Sequence, residues 1–155
     1  MLVCKEKDMA STTQRSTAQQ GFAPRKLLWV GPLTIVVAAA VNMALRTIAV
    51  SFFSVSDGFM YFQPSYVIGG TVIYLLLALL AFILVGRRAR HPAQVYRIVA
   101  LVALCVSFLT PVMALTGLFP AAGMNLHIFW TMLAMHIISA LITVGLLTTL
   151  AVERS

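Results

Sequence analysis

Residues 65–118 read SYVIGGTVIYLLLALLAFILV (65–85), GRRARHPAQVYR (86–97) and IVALVALCVSFLTPVMALTGL (98–118). The two apolar runs are each about the 20 residues needed to cross a hydrocarbon core roughly 30 Å thick. Between them lie Arg87, Arg88, Arg90 and Arg97. Neither run alternates apolar with polar residues as a barrel strand must, and a helix satisfies its own backbone groups in lipid. The segment therefore predicts two membrane-spanning helices joined by a short basic turn.

The same reading extends to both flanks. Residues 27–53 and 126–152 form two further apolar runs, so the expected fold is all-α. It is a bundle of four transmembrane helices, up-down-up-down, with spans at about 27–53, 65–85, 98–118 and 126–152. Residues 1–26, polar and rich in Ser, Thr and Gln, predict a disordered tail, and 153–155 a short C-terminal one. Composition agrees: 61% of residues are hydrophobic and 10% charged. A water-facing domain carries roughly 45–50% and 25%. The two cysteines, Cys4 and Cys105, lie in unlike contexts and exclude a disulfide-stapled miniprotein.

Charge sets the expected orientation. Lys5, Lys7, Arg15, Arg25 and Lys26 precede the first span, the four arginines join the second to the third, and Arg154 follows the fourth. The two opposite loops carry only Asp57. Basic residues collect on the cytoplasmic side, so both termini are expected there, in a bacterial inner membrane. Trp29 and Tyr96 are expected at the inner interface, and Tyr61, Tyr66 and Trp130 at the outer one. A competing reading makes 27–40 a signal-peptide core cleaved after Ala38-x-Ala40, but the apolar run continues past that site. The net charge of +7 follows from topology and does not call for nucleic acid. Arg87, Arg88, Arg90 and Arg97 are expected to contact anionic headgroups at about 1 kcal/mol each.

Small residues mark the expected packing faces, because close approach rather than apolar area drives helix association in lipid. Ala100, Ala103, Ser107, Thr110, Ala114 and Gly117 form one stripe along the third span, which Pro111 should kink. Ile35, Ala38, Ala39, Asn42, Arg46 and Ala49 share a face of the first span. Gly70, Tyr74, Ala78 and Ala81 do so on the second, and Met132, His136, Ser139, Ala140 and Thr143 on the fourth.

Polar residues inside the spans are the candidates for chemistry. Asn42, Arg46, Thr110 and His136 form the candidate polar site. His136 lies about 15 Å into the fourth span, where its imidazole needs a partner such as a backbone carbonyl or Thr110. Arg46 lies near the outer interface, within reach of loop carbonyls, Asp57 or the start of the fourth span. His127 and His136 are nine residues apart, on opposite helix faces, and cannot ligate one haem together. No span contains a carboxylate, and no C-x-x-C, H-E-x-x-H or G-x-S-x-G motif occurs. Cys105 reads as a packing residue. No enzymatic activity, metal or cofactor is expected from this inventory.

Arg87-Arg88-Ala89-Arg90-His91-Pro92, Tyr96-Arg97-Ile98-Val99-Ala100, Ser107, Pro111 and Met135-His136 resemble the pattern of a family of small bacterial four-helix membrane proteins. The resemblance spans roughly residues 27–150. That family carries a domain-of-unknown-function label, so the likeness implies a bacterial inner-membrane setting and no chemistry. Three functions follow as expectations. The first is a non-enzymatic interaction or accessory subunit, self-associating or part of a larger membrane complex. The second is a small-solute or lipid carrier with an outward-facing cavity near Arg46 and His136. The third is a haem-binding membrane protein using His136.

Overall fold

A computed structural model describes residues 21–22, 24–53, 58–118 and 121–153. The elements in chain order are β1 (Gly21–Phe22), α1 (Pro24–Phe52), a 3-10 turn (Met60–Phe62), α2 (Pro64–Arg88), α3 (Pro92–Ser107), α4 (Leu109–Leu115), α5 (Leu126–Leu150) and β2 (Val152–Glu153). The fold is all-α apart from β1 and β2, which pair antiparallel, Gly21 with Glu153 and Phe22 with Val152. The start of α1 therefore lies beside the end of α5. Folded structure thus includes Pro24–Lys26 and Glu153, where tails were expected. The expected disorder of residues 1–20 lies outside the described residues.

Among the described residues four helical segments are long and apolar enough to cross a membrane: Arg25–Phe52, Pro64–Arg88, Pro92–Leu115 and Leu126–Leu150. Local chemistry sets several of their ends. Pro64 and Pro92 open α2 and α3, where a missing N–H goes unmissed and the fixed φ suits a helix. The third span consequently begins at Pro92, not at Ile98. Asn125 caps α5 by accepting from the Ile128 N–H at 2.9 Å. Gly117, at φ 76°, follows the end of α4 in a conformation that a side chain would disfavour.

The third span breaks at Phe108, just before Pro111. Proline has no N–H for the carbonyl four residues back, here Ser107, and its ring crowds that carbonyl. Phe108 itself keeps right-handed helical dihedrals, φ −69° and ψ −18°, and both α3 and α4 pack on α5.

Helix α1 packs along both α2 and α5. At one end Val30, Phe82, Tyr96, Leu147 and Ala151 form a buried cluster. In it the Phe82 and Tyr96 rings meet edge-on at 4.9 Å. Tyr96 is therefore core, not an interfacial anchor. Ala49, Phe59, Phe62 and Ile128 form the cluster at the other end. Close approach is visible where a Cβ on Gly31 would lie 3.4 Å from Leu79 Cδ1. Leucines and other large apolar side chains point outward, Leu28 at 80% exposure and Leu141 at 67%. Only 11–22% of each span's most apolar window is buried inside the protein, a surface suited to lipid rather than water.

Candidate functional site

A cavity of about 600 Å³ lies between α2, α3–α4 and α5, with Asn42 of α1 among its lining residues. Its origin is local. Helices α2 and α3 meet through Phe82 and Tyr96 near their connecting turn, and beyond that contact small residues stand among the lining of the gap. Helix α2 contributes Gly69 and Gly70 to the wall, and α3–α4 contributes Ala100, Ala103, Ser107 and Thr110. Ile73, Tyr74, Ala103 and Thr110 are exposed, so the cavity opens sideways between α2 and α3–α4. Volume and lining resemble a small-molecule site, which is typically apolar with a few placed polar groups.

The small-residue stripe of the third span is thus mostly cavity wall. Ala114 is buried and Ala100 packs against the Phe82–Tyr96 cluster, while Ala103, Thr110 and Gly117 are exposed.

Asn42 holds the polar centre. Its Nδ2 donates to Thr71 Oγ1 and to Ser139 Oγ, each at 2.9 Å, tying α1 to α2 and α5. Thr71 passes its own proton to the Val67 carbonyl at 2.7 Å. Thr143 donates to the Ser139 carbonyl at 2.6 Å. Asn42 Oδ1 is buried with no hydrogen-bond partner. Leaving such an acceptor unmet costs about 1–3 kcal/mol. Reversing the amide would move its N–H groups to that same partnerless position and turn its oxygen on Thr71, whose proton is already given to Val67.

His136 lines the same cavity and meets the Tyr74 ring edge-on at 6.4 Å. It makes no hydrogen bond among the described residues, to Thr110 or to a backbone carbonyl. Its ring nitrogens are left to the cavity. Asn42, Thr110 and His136 therefore converge on one space, and Arg46 does not join them. Arg46 Nε donates to the Phe62 carbonyl and fastens the 3-10 turn to α1. Its expected pairing with Asp57 lies outside the described residues.

The remaining candidates are dispersed. Arg87, Arg88, Arg90 and Arg97 are all exposed at the α2–α3 turn. His127 is exposed and stacks on Phe53 at 6.2 Å. Cys105 is exposed on α3, not packed as expected. Among the described residues no three His, Cys, Asp or Glu side chains gather as a metal site would require. Sequence reasoning missed Thr71, whose only signal is being the one threonine of α2. Comparison with protein-family models, with curated proteins and with solved structures found no match to this chain.

Proposed function

We propose that this is a non-enzymatic, four-span membrane protein that takes up a lipid-soluble molecule through the gap between α2 and α3–α4. The carrying observation is the laterally open 600 Å³ cavity, apolar over most of its wall and polar where Asn42 and His136 face it. A molecule dissolved in the bilayer reaches such an opening without leaving hydrocarbon. Binding or carriage suits the inventory better than catalysis, because among the described residues no nucleophile–base pair or carboxylate lines the cavity. In this reading both termini are cytoplasmic and the membrane is a bacterial inner one. The basic turn, exposed at Arg87, Arg88, Arg90 and Arg97, rests against anionic headgroups. The β1–β2 pairing supports an even number of crossings, since it joins the start of the first span to the end of the last.

The test is purification in mild detergent, followed by native mass spectrometry and extraction of whatever is retained. A lipid-soluble compound held near one per chain, and lost when Ala103→Trp blocks the gap, is the expected result. Retention of annular phospholipid alone, unchanged by that substitution, would overturn it.

A second reading, an accessory subunit of a membrane assembly, is favoured by the exposed small residues Ala103, Thr110 and Gly117. A partner helix would approach closely there. Crosslinking from Ala103→Cys in native membranes decides it: a discrete protein adduct supports it, and adducts to lipid alone count against it.

A further inference from the structure

Methionines that are scattered along the chain come together in the fold. Met124, just before α5, and Met132 and Met135 of α5 all pack against the Ala49–Phe59–Phe62–Ile128 cluster. Met132 and Met135 also line the cavity, and so does His136 beside them. Positions 132, 135 and 136 cover an arc of about 100° on the helix. Residues three and four apart on such a surface have Cβ atoms about 5–6 Å from one another. Two thioethers and one imidazole therefore share one wall of one cavity. Met132 lies six residues and His136 ten residues beyond Leu126, about 9 Å and 15 Å along α5 from its start.

Methionine is common packing material, and sulfur at a cavity wall says little by itself. His136 adds the second observation. Its ring meets Tyr74 edge-on at 6.4 Å and makes no hydrogen bond among the described residues. Asn42 Oδ1 is the one side-chain polar atom among those residues that is both buried and unbonded, so the nitrogens of His136 are accessible. An accessible, uncommitted imidazole nitrogen is a ligand in waiting, and each methionine has three rotatable bonds with which to turn its sulfur toward the same point.

The donors select the ion. Thioethers are soft ligands and suit Cu(I), and imidazole suits copper as well. Hard cations need oxygen donors, and none of the described lining residues is Asp or Glu. Zinc sites are built from Cys, His and carboxylates, and no three of these gather among the described residues. A single positive charge is also the least costly one to place where no carboxylate balances it.

We propose that Met132, Met135 and His136 form a binding site for one Cu(I) ion on the α5 wall of the cavity. The site goes beyond the lipid-soluble occupant proposed above and does not depend on it.

The experiment uses the full chain in lipid nanodiscs, with Cys4→Ser and Cys105→Ala so that thiols do not compete. Cu(I), kept reduced without oxygen, is titrated in competition with a chromophoric chelator, and Ag(I) serves as a second probe that does not change oxidation state. One ion per chain is expected, with sulfur and nitrogen neighbours in the Cu K-edge absorption spectrum. Met132→Leu and Met135→Leu keep apolar bulk, and His136→Gln keeps a polar side chain. Each should weaken binding about tenfold or more, the loss that even a supporting partner of a metal ligand causes. Met113→Leu, on α4 and outside the cavity wall, should leave binding unchanged. Thermal unfolding of each variant without metal separates loss of a ligand from loss of the fold. Absence of binding by the folded parent chain overturns the site. So does binding that survives Met132→Leu combined with Met135→Leu, or Zn(II) bound as tightly as Cu(I).

Discussion

Asn42 shows what one polar side chain does inside an apolar bundle. Away from water its amide must bond to protein, and its two N–H groups hold α2 and α5 at once through Thr71 and Ser139. Interhelical hydrogen bonds of this kind contribute about 0.6 kcal/mol on average and rarely above about 1.7. A double-mutant cycle of Asn42→Ala with Ser139→Ala, read by unfolding in mixed micelles, should give a coupling of about that average. Strictly additive losses would contradict the bond. Asn42 is legible in the sequence as a polar residue in an apolar run, but Thr71 is not. A helical threonine can satisfy itself on the carbonyl four residues back, as Thr34, Thr143, Thr148 and Thr149 also do here. Nothing local says which one also accepts from a neighbouring helix. Arg46 belongs to this scale too. Arg46→Ala should release the Tyr61–Phe62 turn, seen as faster amide exchange at Phe62 and Gln63 with little change at Leu75.

At the scale of elements, the third span is interrupted at Phe108, just before Pro111. Pro111→Ala restores the missing N–H and should make α3 and α4 continuous. Spin labels at Leu77 and Val112 would then report a changed distance, whereas an unchanged one would mean that packing on α5, not proline, sets the break. The closed end relies on Phe82 and Tyr96. Phe82→Ala should destabilise by about 3 kcal/mol, the low end for such truncations, because lipid solvates apolar surface well and only the packing loss remains. Sequence patterning identified the stripe and the proline. It misplaced Tyr96, since an aromatic near a span's end is suited equally to headgroups and to a neighbouring helix, and only Phe82 opposite it decides between them.

For the molecule as a whole, the many outward-facing leucines, with buried aromatic clusters at the two ends and Asn42 and threonines buried among apolar side chains, describe a protein suited to lipid. Cys105, exposed on α3, should in intact bilayers resist a membrane-impermeant maleimide and react with a lipid-soluble one, in a Cys4→Ser background. Reaction with the impermeant reagent would place that face in water. In the same background with Cys105 also replaced, cysteines introduced at Arg90 and Met60 should be labelled from opposite sides of the membrane under the proposed orientation.

The number and approximate extent of the four helices, together with the charge asymmetry behind their proposed orientation, came from the chain itself. Those properties depend on run length and composition, which are additive along a sequence. The break near Pro111 was legible too, but the burial of Tyr96, the Asn42–Thr71–Ser139 junction and the cavity beside it were decided only by tertiary structure. Each depends on which residue of another helix stands opposite, and in lipid that choice turns on shape and single hydrogen bonds, because apolar side chains meet equally apolar surroundings whether they face neighbours or lipid.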